Sequence, residues 1–145
     1  TKHDYAKRRL DMSEFQLIHR LDDNQILQLH ELYSHQWWTN DRTLDDIKKM
    51  LASSDLIFAY WHKQNKQLLA FARVLTDHVY RAFIFDVIVD ERFRGMGLGK
   101  QLMNDVLAGT SHIERVELYC KDDKISFYEK FNFSLLPSTR LMRKN

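Results

Sequence analysis

Three of the chain's four glycines fall in Arg94-Gly95-Met96-Gly97-Leu98-Gly99-Lys100. An almost wholly apolar run, Ala82 to Val89, precedes them, and a helical pattern through Leu98, Leu102 and Val106 follows. A strand, a glycine-rich turn and a helix start present bare backbone N–H groups to an anion, most often a phosphate. Glycine suits that task because it lacks a Cβ and tolerates positive φ. The N–H groups of Gly95 through Lys100 would form the cradle, with Arg94 or Lys100 adding charge-assisted bonds. Two other residues stand out. Asp86 is the only charged side chain between Ala82 and Val89, and a buried carboxylate needs a partner or a task. Its structural alternatives are a bond to Arg73, to a tryptophan N–H or to backbone. Tyr128 shares a short apolar helix face with Ile125 and Phe131, so it is either core or a phenol held for proton transfer. Asp77, His78 and Asp122 read as turn residues.

The elements that must position these groups follow from periodicity. Glu14 to His19 alternates like a strand. Asp22 or Asp23 caps a helix with Ile26, Leu29, Tyr33 and Trp37 at helical spacing, and Thr43 caps a second with Leu44, Ile47 and Leu51. Strands are expected at Leu56–Trp61, Leu68–Leu75 and Tyr80–Val89, then a helix from about Gly97 to Leu107. A strand at Arg115–Tyr119, a helix at Lys124–Phe131 and a closing strand near Leu141 complete the order β-α-α-β-β-β-α-β-α-β. This is a mixed sheet with helices packed on it, α/β or α+β.

At 145 residues with 44% hydrophobic and 29% charged content, the chain fits one soluble domain over residues 1–145. Its +2 net charge is too balanced for a nucleic-acid partner. No stretch approaches the span of a bilayer and no signal-like start is visible, although the first residue is Thr1 rather than Met. A cytoplasmic setting without membrane partner is expected. The single cysteine, Cys120, excludes an internal disulfide and a thiolate metal cluster, and reads as a buried strand-end thiol.

Spacing sorts the phosphate-binding patterns. A P-loop needs Gly where Arg94 stands and Ser or Thr where Gln101 stands. A dinucleotide fingerprint needs G-x-G-x-x-G, against G-x-G-x-G here. The pattern [Q/R]-x-x-G-x-[G/A] is met by Arg94-Gly-Met-Gly97-Leu-Gly99. That segment resembles the acyl-coenzyme A pyrophosphate loop of the GNAT superfamily of N-acetyltransferases. Asp86-Val-Ile-Val89-Asp-Glu-Arg-Phe93 is similar to the family's central strand and its exit. Ser126-Phe-Tyr-Glu-Lys-Phe-Asn-Phe133 resembles its F-Y-x-K-x-G-F segment, with Asn132 in place of the usual Gly. Lys121 stands where an Asn or Asp is often found.

The resemblance implies a mixed, mostly antiparallel sheet of six to seven strands with about four helices. It also implies acetyl-CoA as donor, no metal, and a primary amine as acceptor. Val87, Ile88 and Val89 would pair with the donor's amide-bearing arm, and the same edge would polarise the thioester carbonyl through an N–H. Arg94, Gly95, Met96, Gly97, Leu98, Gly99 and Lys100 would hold the pyrophosphate. Tyr128 would protonate the departing thiolate, with Asp86 or water taking the amine's proton. Trp37, Trp38, Asn40 and Arg42 would wall the acceptor, suiting an aromatic or apolar-cationic amine; a dimer contact is the competing use. One tryptophan should be core and the other partly exposed. The short chain points to a small-molecule acceptor and to a monomer or homodimer. Direct transfer is expected rather than an acetyl-Cys120 intermediate. A protein-amine acceptor, a catalytically silent coenzyme A sensor and an ATP-binding protein remain as alternatives.

Overall fold

A computed structural model describes residues 11–145. The start of the expected domain, including Thr1, lies outside the described residues. Five strands form one sheet: β1 (Phe15–Ile18), β2 (Leu56–His62), β3 (Gln67–Thr76), β4 (Arg81–Val89) and β5 (Arg115–Glu117). Their spatial order is the chain order, with β1 to β4 antiparallel and β5 parallel to β4. Helices α1 (Asp23–Ser34) and α2 (Leu44–Ser53) precede β2; α3 (Leu98–Gly109) crosses from β4 to β5, and α4 (Ile125–Glu129) follows β5.

Side-chain caps start the first two helices. Asp22 and Gln25 make a reciprocal capping box at α1, and the Thr43 side chain accepts from the Asp46 N–H at α2. Helix α3 has no side-chain cap; Gly97 occupies its N-cap in the left-handed region. The sheet buries both faces. Ala82 and Ile84 of β4 pack with Leu98, Leu102, Met103 and Val106 of α3 on one side. Phe71 and Ile88 pack with Leu29, Tyr33 and Ile47 of α1 and α2 on the other.

The sequence expectations need four corrections. The sheet has five strands rather than six or seven, because the stretch near Leu141 forms none. Leu141 and Met142 are adjacent and exposed, so no alternating face is buried to hold a strand there. Helix α1 ends at Ser34, which leaves Trp37 beyond it and 68% exposed; Trp38 is exposed too, so neither is core. Cys120 is exposed rather than buried, because β5 stops at Glu117 and the chain turns away.

Candidate active site

Strand β4 is interrupted where chemistry was expected. Arg73 pairs with Phe85 and Phe71 with Ile88, so Ala72 of β3 faces two residues, Asp86 and Val87. This is a β-bulge, which leaves a peptide group outside the ladder and re-aims the side chain. Asp86 takes φ +56° at this point. Simple alternation would place Asp86 opposite Phe85; the bulge brings it to the same face, toward α1 and α2. There its Oδ2 accepts from the Tyr33 hydroxyl at 2.9 Å, Arg42 Nη1 at 2.8 Å and Arg73 Nε at 2.8 Å. Burial pushes the Asp86 carboxyl up, but the hydrogen bonds and charges of Arg42 and Arg73 outweigh it and hold the group below the usual carboxylate range.

On its other edge β4 pairs with β5 only from Arg81 to Phe83, the last partner being Glu117. Beyond that point Val87, Ile88 and Val89 have no β5 neighbour, and the edge of β4 is open. The chain then passes Asp90, whose carboxylate accepts from the Arg92 N–H, and enters the glycine turn. Gly95 and Gly97 have φ of +80° and +85°, and no atom lies within 4 Å of where a Cβ would stand on either. The N–H groups of Leu98, Gly99 and Lys100 open α3 ahead of its first intrahelical bond, Gln101 N–H to the Gly97 carbonyl, and Gly97 brings no side-chain cap. These are the orphan donors of a helix start extended backwards by a turn. They fit a pyrophosphate. Arg94 Nε reaches the Val89 carbonyl at 3.3 Å, which ties the turn to the end of β4, while Lys100 is exposed. The Leu98 and Met96 side chains point into the α3 core, so both residues offer backbone only.

Gly99 joins the turn to α4. A Cβ there would stand 3.5 Å from Val89 Cγ2 and 3.7 Å from Phe127 Cζ. Phe127 packs edge-on to Tyr128 at 5.0 Å between ring centres. Burial, and more weakly the Cys120 group, pushes the Tyr128 phenol up to about 12. Its hydroxyl has no hydrogen-bond partner among the described residues. It lines a depression with Leu118, Cys120, Ile125 and Phe133. Burial and the neighbouring Asp122 and Asp123 also raise the Cys120 thiol, which makes it a poor nucleophile.

A family model described as "Acetyltransferase (GNAT) family" matches residues 18–133. The chain belongs to the GNAT acetyltransferase family. Its match to an uncharacterized N-acetyltransferase ycf52-like protein of Prochlorococcus marinus is 35% identical over 127 residues, covering 85% of this chain and 68% of that one. GCN5-related N-acetyltransferase 2, chloroplastic, of Arabidopsis thaliana is 32% identical over 77 residues, covering 52% of this chain and 30% of that one. A solved structure from Deinococcus radiodurans R1, described as a candidate acetyltransferase, superposes with a TM-score of 0.77 at 25% identity, covering 92% of both chains.

The face of this GNAT sheet toward α1 and α2 carries contacts that sequence reasoning did not assemble. Phe83, Phe85 and Tyr119 form an aromatic cluster with ring centres 5.4 to 5.9 Å apart. Lys121 Nζ lies 3.8 Å from the centre of the Trp37 ring, which links the α1–α2 loop to the loop after β5. Asn40 is exposed on that loop, and Arg42 stacks over Tyr33 at 4.6 Å. The signal for the Asp86 cluster was present: Tyr33 sits in an apolar helical stripe, and a buried phenol needs a partner for its hydroxyl. Asp77, read as a turn residue, accepts from the N–H groups of Val79, Tyr80 and Arg81 and is one.

Proposed function

We propose that the chain transfers an acetyl group from acetyl-CoA to a primary amine by direct attack, the amine belonging to a small molecule with an aromatic or apolar body. The glycine turn leading into the uncapped start of α3, set beside an open β4 edge, carries this reading. In it the turn holds the donor's pyrophosphate, and Val87, Ile88 and Val89 hold its amide-bearing arm as a strand partner would. A free N–H of that edge polarises the thioester carbonyl. The amine loses its proton through water and attacks the carbonyl carbon; the C–S bond breaks, and Tyr128 gives its proton to the departing thiolate. A phenol that burial keeps protonated, with an uncommitted hydroxyl, suits that step. The Phe83–Phe85–Tyr119 cluster, with the exposed Trp37 and Trp38, supports an aromatic or apolar acceptor. Asp86, a base in the sequence reading, is a poor proton acceptor when two guanidinium groups hold it.

Among the described residues no helix is long and apolar enough to cross a membrane. The compartment we propose is cytoplasmic, with a chloroplast as the alternative suggested by the name of the Arabidopsis relative. Acetyl-CoA turnover on a panel of aromatic amines, aliphatic amines and lysine peptides tests the function. Wild type should favour the aromatic amines. Tyr128→Phe should lower kcat by about 100-fold and leave coenzyme A binding unchanged. Tight coenzyme A binding with no turnover on any amine would replace the enzyme by a coenzyme A sensor. Thermal stabilisation by ATP but not acetyl-CoA would replace both.

A further inference from the structure

The cluster at the β4 bulge is costly and, in the mechanism above, unused. Three charged side chains, Asp86, Arg42 and Arg73, are 7%, 28% and 15% exposed. Their donors to the one oxygen Oδ2 come from the α1–α2 loop and β3, with Tyr33 adding a third from α1. Burying such a set brings a desolvation penalty that well-packed apolar residues would avoid, so stability is a weak reason for it. Asp86 also holds a left-handed backbone conformation, uncommon for any side chain although Asp and Asn tolerate it best. What the set does achieve is connection. It ties the bulge to β3 through Arg73, which also stacks over Phe85 at 5.0 Å. It ties the same bulge to the loop bearing Trp37 and Trp38 through Arg42.

We propose that Asp86 is a positioning residue: its clamp on Tyr33, Arg42 and Arg73 sets the bulge peptide that polarises the thioester carbonyl and couples that peptide to the acceptor loop. This rests on the acyl-transfer reading above. Asp86 touches neither substrate. It fixes the edge of β4 against which the donor's carbonyl lies, so the catalytic groups remain the peptide N–H and Tyr128.

Two variants separate the clamp from the backbone. Asp86→Asn keeps the shape and the tolerance for positive φ but removes the charge; Arg42→Lys keeps the charge and loses the planar fork. Acetyl-CoA labelled with carbon-13 at its carbonyl gives a readout that needs no acceptor. Wild type should shift the bound carbonyl resonance downfield, and both variants should bring it back toward the free value. Donor affinity should stay within about threefold. On the best amine of the panel, kcat should fall about tenfold or more, with the donor KM and the pH inflection of kcat/KM retained. If Asp86→Asn fails to fold by circular dichroism, Arg42→Lys carries the same comparison.

A carbonyl unshifted in wild type, or fully shifted in both variants, overturns the clamp. Loss of the pH inflection in Asp86→Asn, recovered in Asp86→Glu, overturns it in favour of a general base. A polarised carbonyl in wild type that the variants lose, with no amine acetylated, upholds the clamp and removes only the transfer reading. Wild type that binds no acetyl-CoA overturns both.

Discussion

Tyr128 and Asp86 began as two ionisable side chains near apolar strands, and their surroundings push them in opposite directions. Burial raises the phenol to about 12, while two arginines overcome burial and lower the carboxylate. Neither group changes charge near neutral pH, so neither should shape the rate profile there. The sign for Tyr128 is fixed by its role: an acid works while protonated, which here means below about pH 12. The pH profile of kcat/KM for the acceptor should therefore rise as the amine loses its ammonium proton and then stay level to about pH 10. A falling limb centred near pH 8 or 9 would assign the acid to another group. Asp86 was legible as a residue in need of a partner, and Arg73 was one of the partners considered. Tyr33 was legible only as a phenol in an apolar stripe; that it and Arg42 meet Asp86 was not, because a bulge is set by tertiary register and leaves no mark in the alternation of Ala82 to Val89.

Among elements, the succession of β4, glycine turn and α3 was readable, and the turn's glycines are not equivalent. Gly97 holds φ +85° with open space around it, so a methyl group there meets no atom but strains the backbone. Gly99 has ordinary φ and would place a methyl group at van der Waals distance from Val89 and Phe127. Gly97→Ala should cost about 1 kcal/mol and weaken coenzyme A binding, since the loop loses the shape that aims its N–H groups. Gly99→Ala should bind coenzyme A within about threefold of wild type. Calorimetric titration of both variants checks the order; equal losses would mean that glycine's smallness rather than its backbone freedom matters. The closing strand near Leu141 shows the opposite case. Its composition suits a strand, but strands need a partnered edge, and composition does not say whether one is supplied.

For the whole molecule, a mixed sheet with flanking helices followed from the order of elements, and the family resemblance added the site. What remained hidden lies where distant segments meet: Trp37 with Lys121, Tyr119 with Phe83 and Phe85, Arg42 with Asp86. Each pair joins residues more than 30 positions apart, beyond the reach of helical or strand periodicity. The same distinction predicts uneven protection. β5 is three residues long with β4 as its single strand partner, whereas β3 is paired along both edges. Amide hydrogen exchange should be faster for Arg115–Glu117 than for Phe71–Val74, and acetyl-CoA should slow the β5 amides preferentially. Equal protection in the two strands would count against an opening confined to the β4–β5 edge.

Because spatial order equals chain order, β2, β3 and β4 add to one another through local antiparallel hairpins. β1 joins them across α1 and α2, and β5 must wait for α3 to cross the sheet before it can pair in parallel. Loop-closure cost is therefore concentrated in those two joins, with β2 to β4 as a template. The open β4 edge beside the glycine turn takes its far wall from the β5 join, so a ligand spanning the turn and the segment bearing Tyr128 should stabilise that join, which a thermal shift with coenzyme A measures.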